Sequence, residues 1–341
     1  MADGMAAWVA DQVARASSGG TVVQAGRDVV VSVDQRVRRR SWAGWRRTRT
    51  RRAFLVTSAF DQKYWLAGLT RRLHAALDRD GVALVLKVPD RDFDSAAQAH
   101  HLRRVLSTRR DYVGGFVVAT EVERAREDLA AFCVELDLPV VFTDVEPFEL
   151  EDQYPDNAAF VGYPAGEIGA TAGRWLVTHF HERGITQPRV LIVAGEENRD
   201  RQRRCAEVIR EAFPGAAVVI DASGAFKPSR AHDAVLAHLH AHESVDAVFC
   251  TNDEMALGAV DALRSTTCGA VVVGVDGTVE ATALIDAGTS ALRATVVQDP
   301  HRLAESAVRV LERLCDGRPT PKRTALQPEV HQASNRHPGR F

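Results

Sequence analysis

"DAVFCTNDEMALGAVDAL", residues 246–263, sets an apolar run directly against a helical one. Residues 246–250 are short, apolar and not alternating, which predicts a buried strand. Residues 255–263 carry their apolar side chains at helical spacing. Asn252, Asp253 and Glu254 lie at the junction. In an open α/β sheet, residues just past the carboxyl end of a strand face ligands. The same positions cap the helix that follows. Asn252 reads either way. Asp253, one residue into the helix, reads with Glu254 as a partner of the helix N-terminus.

The same strand-to-helix step recurs along the chain. Runs at 54–59, 82–88, 113–120, 139–144, 158–163, 189–195, 216–222, 246–251, 269–276 and 291–298 read as strands. They are rich in valine, as parallel strands covered on both faces are. Helical patterns such as "WLAGLTRRLHAALDRDG" (65–81) and "HRLAESAVRVLERLCDG" (301–317) separate them, each ending on a C-cap glycine. Repeated strand–helix units predict an α/β protein with doubly wound, Rossmann-like parallel sheets. About ten strands divide naturally into two lobes of about five each. "GYPAGEIG" (162–169) lacks the G-x-G-x-x-G spacing and reads as helix packing.

The 341 residues are 45% hydrophobic, with 43 Lys and Arg against 45 Asp and Glu. Global charge thus argues for neither a nucleic-acid nor a membrane partner. Five scattered cysteines without a C-x-x-C pair predict neither a disulfide framework nor a zinc site, and fit a reducing compartment. No apolar stretch is long enough to span a bilayer. The first twenty residues show no secretory signal pattern, so the expectation is a cytoplasmic protein, or an extracytoplasmic one if the true start differs.

Residues 1–53 stand apart as an N-terminal extension. Residues 5–14 predict a short amphipathic helix, and "TVVQAGRDVVVSV" (21–33) a small hairpin turning near Gly26 and Asp28. "RVRRRSWAGWRRTRTRR" runs from Arg36 to Arg52. It reads as a solvated basic linker, with an arm for nucleic acid or an acidic protein partner as the alternative.

The strand ends form one chemical set. Gln62, Tyr64 and Trp65 follow the first strand, and Asp144 ends the fourth. Phe226, Asn252, Asp276 and Gln298 stand after later strands. Carboxylates and amides match hydroxyls or amines, and aromatic rings match the C–H faces of a sugar-like ligand. His238 and His242 are four apart on a helix but lack a third metal donor nearby in sequence. No nucleophile elbow appears, and neither enzymatic activity nor a cofactor is expected.

On these segments the chain resembles the type 1 periplasmic-binding-protein family, notably ribose-type sugar-binding proteins and the ligand-binding domains of LacI-type repressors. "NDEMALGA" (252–259) matches the ribose-type segment, and "VVGVDGT" (272–278) and "ATVVQDP" (294–300) are similar to two others. Tyr64 and Trp65 occupy the place of paired aromatics. The resemblance implies two lobes, 54–160 with 299–327 and 161–298 with 328–335, followed by a tail at 336–341. It implies hinges near 160–164, 298–300 and 327–330, and closure of the lobes on a ligand. It further implies ligand contacts at Gln62, Tyr64, Trp65, Asp144, Phe226, Asn252, Asp276 and Gln298.

Two departures bear on the ligand. Sugar-binding relatives carry Arg after the aspartate matching Asp144, where this chain has Val145. A second family arginine aligns with Cys205, with Arg203 or Arg204 able to serve in a shifted register; Arg204 is the candidate. Fewer guanidinium donors point away from ribose and toward a polyol, an amino-sugar or another amine. Cys205 among arginines also reads as a thiol with a lowered pKa, or as a core residue. Three roles follow: an intracellular sensor, the substrate-binding component of an ABC sugar importer, or a LacI-like regulator without a recognisable helix-turn-helix.

Overall fold

The valine-rich run expected to fold on itself does so. Strand β1 (Thr21–Ala25) pairs antiparallel with β2 (Asp28–Ser32), with Thr21 opposite Ser32. The computed structural model describes residues 21–25, 28–32, 51–59, 64–91, 94–195, 199–242 and 244–333. The predicted helix at 5–14 lies outside these residues, as does the basic stretch up to residue 50. Its last two arginines are strand residues: Arg51 and Arg52 open β3 (Arg51–Val56), opposite Val82 and Ala83.

The first unit is an eight-stranded sheet. Its parallel core contains β3, β4 (Val82–Lys87), β5 (Gly114–Val117), β6 (Val140–Thr143) and β7 (Ala158–Gly162). The order is β1-β2-β4-β3-β5-β6-β7-β13, where β13 is Arg323–Ala325. The hairpin thus extends this sheet through β2, which runs antiparallel to β4. Helices α1 (Tyr64–Asp78), α2 (Ser95–Ser107) and α3 (Val122–Leu136) connect the strands. Phe54, Phe132, Phe142 and Phe160 fill the core with Leu129, and Phe54 meets Tyr112 edge-on at 5.5 Å.

The second unit is a six-stranded sheet ordered β14-β12-β11-β10-β8-β9. Its parallel strands are β8 (Arg189–Val193), β9 (Ala217–Asp221), β10 (Ala247–Cys250), β11 (Val271–Asp276) and β12 (Leu292–Val297). The edge strand β14 (Glu329–Gln332) runs antiparallel to β12. Helices α4 (Ala165–Arg183), α5 (Arg199–Ala212), α6 (Pro228–His242), α7 (Asp253–Arg264) and α8 (Val279–Ala287) belong here, and α9 (Pro300–Cys315) returns to the first unit. The chain passes between units after Gly162, Asp299 and Leu326. All ten expected strands form. Nine of them are largely buried and leave long apolar signatures, whereas β9, an exposed edge strand, was legible only from its valine-rich run.

Small residues set the helix packing around the second sheet. A Cβ at Gly169 would stand 1.9 Å from the carbonyl oxygen of Arg201, so α4 and α5 touch backbone to backbone. Gly169 of "GYPAGEIG" therefore serves helix packing, as expected. No helix among the described residues is long and apolar enough to cross a membrane.

Candidate functional site

At the carboxyl end of the second sheet, β10 stops and Asn252 turns the chain into α7. Its backbone is extended, and Oδ1 accepts a hydrogen bond from Met255 N at 2.9 Å. Asn252 is thus the N-cap, with its oxygen committed to the helix. The amide nitrogen is the part of the side chain that can donate to a ligand.

Asp253 does more than serve a helix N-terminus. It is fully buried, and its carboxylate accepts from Thr278 N and from Thr295 Oγ1, each at 2.7 Å. It ties the start of α7 to the loop after β11 and to β12. Burial pushes its carboxyl up to about 7, opposed by these donors and aided by Glu254.

Asp276 ends β11 with φ at +115°, a strained conformation for a residue with a side chain. It is buried and accepts from Gln298 Nε2 at 2.7 Å. Burial holds its carboxyl well above the usual range, with further upward pressure from Glu254 and Asp253; Arg201 and the Gln298 hydrogen bond oppose. The expected Asp276 and Gln298 are therefore joined directly.

The arginine at this end is Arg201. It is buried in α5, and Nη1 donates to Thr251 O at 2.5 Å. Arg204 instead lies partly exposed and pairs with Glu207 at 3.0 Å and Glu211 at 3.6 Å. Arg203 pairs with Asp200 and Glu207. Arg201, rather than the expected Arg204, is thus the buried arginine at this end, one turn before Cys205 on the same buried face. The signal was present, because four residues forward or back preserves a helix face. Cys205 is fully buried, and burial pushes its thiol up, which removes the activated-thiol reading.

Phe226 has φ at +55° and is nearly buried. Its ring lies against Gly195, where a Cβ would stand 2.3 Å from a ring carbon. Gly195 follows the β8 end, so the ring is held at the same edge of the sheet.

In the first unit the expected aromatic pair diverges. Trp65 is 9% exposed and packs into the core, whereas Tyr64 is 64% exposed. Neighbours on a helix point about 100° apart, so one cannot follow the other. Asp144 directly follows β6 with φ at +65°. Gln62 lies outside the described residues. Lys87, unforeseen, is buried at the end of β4.

Four further polar atoms went unforeseen. Thr57 Oγ1 and Thr143 Oγ1 lie at the carboxyl end of the first sheet. Thr251 Oγ1 follows β10 in the second sheet, and Gln202 Oε1 is on α5 beside Arg201. All four are buried without a hydrogen-bond partner among the described residues. Among the described residues no group of three His, Cys, Asp or Glu is placed to hold a metal.

Comparison with known proteins gives one coherent result. The profile described as periplasmic binding protein domain matches residues 53–319. A Rhizobium meliloti protein named as a putative rhizopine-binding protein is 23% identical over 286 residues, covering 82% of this chain and 89% of that protein. The Caulobacter myo-inositol binding protein bound to myo-inositol superimposes with a TM-score of 0.72 at 21% identity, covering 85% of this chain and 95% of that one. A Mycobacterium smegmatis ABC transporter solute binding protein with bound glycerol gives 0.71 at 22% identity, covering 83% and 94%.

Proposed function

Because the chain belongs to the periplasmic binding protein domain family, we propose that it is a non-enzymatic solute-binding protein for a neutral, polyhydroxylated ligand, a sugar or a cyclic polyol. One observation carries this reading: Asn252, Asp276, Gln298 and Arg201 gather at the carboxyl end of one sheet. Carboxylates accept from ligand hydroxyls, and the amides and guanidinium donate to them. Phe226 adds an apolar face.

Arg201 returns one of the two guanidinium groups thought missing. Burial already resists negative charge on Asp253 and Asp276, and a ligand anion beside them would raise that cost further. That balance favours neutral polyols and amine-bearing analogues over acids. The relatives that carry the family likeness include named solute-binding proteins of ABC transporters, so delivery to an importer is the proposed role. They lend nothing to an intracellular sensor or a LacI-like regulator. One observation favours a cytoplasmic sensor as a second reading: all five cysteines are free.

A thermal-shift panel tests the ligand class, using myo-inositol, ribose, glucose, an amino-cyclitol and gluconate. A rise in Tm with a neutral or amine-bearing polyol is expected. A rise with gluconate alone overturns the reading. Cell fractionation separates the two roles.

A further inference from the structure

The opposite, amino-terminal end of the second sheet carries a separate cavity of about 630 Å³. Its walls come from the starts of β8, β10, β11 and β12, from the end of α4 and from the 266–270 loop. That volume lies within the usual range of small-molecule sites, about 300–1,000 Å³.

The charges on its wall are unbalanced. Arg183, Arg189 and Arg293 line it against one carboxylate, Asp246. Asp246 is already engaged: Arg189 Nη2 donates to Oδ1 at 2.9 Å, while Arg189 Nε and backbone N donate to Oδ2 at 3.2 and 2.8 Å. Arg183 and Arg293 remain without a carboxylate partner on the cavity wall. Arg293 is anchored by donating to Gly288 O at 3.0 Å, which leaves its other guanidinium hydrogens for a guest. His179, also on the wall, feels both cations: its pKa is lowered first by burial, then by Arg183, with Arg293 adding and Glu182 opposing. Leu239 supplies apolar surface.

We propose that this cavity binds a compact organic anion, with its oxyanion group held between Arg183 and Arg293 and its apolar body against the Leu239 wall. Guanidinium groups match the planar or tetrahedral oxygens of carboxylates and phosphates, and the Asp246–Arg189 pair keeps the local carboxylate from competing. The site lies at the other end of the sheet from the polyol residues, so the two ligands bind independently.

Isothermal titration with phenyl phosphate and inorganic phosphate tests the assignment. Phenyl phosphate binds wild type with an affinity weakened at least about tenfold by Arg183→Gln with Arg293→Gln, and weakened by added salt. Arg110→Gln, on an exposed turn of the first unit, leaves it unchanged. Inorganic phosphate binds more weakly for want of an apolar body. Circular dichroism checks folding, and the single variant Arg183→Gln, at an exposed position, replaces the double one if that fails. The proposal is overturned by no binding up to about 10 mM. Unchanged affinity in the variant, equal affinity for the two probes, or displacement by a bound polyol also overturns it.

Discussion

The carboxylate of Asp253 occupies the space beside Gly274, where a Cβ would stand 2.2 Å from Oδ1. The first glycine in "VVGVDGT" is thus the seat of a buried acid on the neighbouring element. Gly274→Ala must displace that carboxylate from Thr278 and Thr295. The expected loss is about 2 kcal/mol or more, from overpacking and strained hydrogen bonds. Urea unfolding checks it, and a wild-type midpoint would contradict the account.

The same acid makes stability depend on pH. Asp253 titrates near 7 in the folded chain against an ordinary value of 3.8. Its contribution is fully present below about 3.8, where both states are protonated. It is lost as pH rises through 7, because the folded state holds the proton more tightly in between. Asp276 is shifted in the same direction. In Asp253→Asn, the amide oxygen can accept from Thr278 N while the amide nitrogen donates to the Thr295 hydroxyl. Between pH 5 and 8, wild type is expected to lose about 2–3 kcal/mol relative to this variant. Parallel pH profiles from urea unfolding would refute it.

Phe226 offers a test of the ligand site that leaves the charged residues alone. Gly195→Ala pushes the ring from its seat, since the new methyl would meet it at 2.3 Å. Titration with whichever polyol gives the largest thermal shift should show affinity at least about tenfold weaker. Phe226→Ala should act in the same direction. Unaltered affinity in both variants would remove the ring from the site.

Two arginines three residues apart should behave oppositely. Arg201→Met removes a buried cation that opposes the ionisation penalty at Asp276, and should cost about 2–4 kcal/mol and abolish polyol binding. Arg204→Ala removes only solvent-facing ion pairs and should leave both measurements unchanged. Denaturation and calorimetry on the pair decide the register.

How far the sequence could be read follows from burial. Nine of the ten expected strands are buried, continuous apolar runs; β9 is exposed and was visible by its β-branched composition alone. β13 and β14 were not: "RTA" and "EVHQ" are short and half-exposed, and register in their sheets comes from pairing rather than pattern. Asp276 and Gln298 were legible as strand-end residues, but their mutual hydrogen bond was not, because no local rule links positions 22 apart. Arg201 was hidden by helical periodicity itself, which makes Arg201 and Cys205 equivalent by face. Tyr64 and Trp65 read as a pair because adjacency in sequence says nothing about direction on a helix.

The late strands have a consequence for synthesis. The first sheet receives β13 and the covering helix α9 only after residue 299, and the second sheet receives β14 only at residues 329–332. On the ribosome, the parallel strands of both units emerge well before these pieces. The nascent chain therefore carries two incomplete sheets with open edges until residue 332 has emerged. Over that interval the open edges of β7 and β12 are templates for strands of other chains.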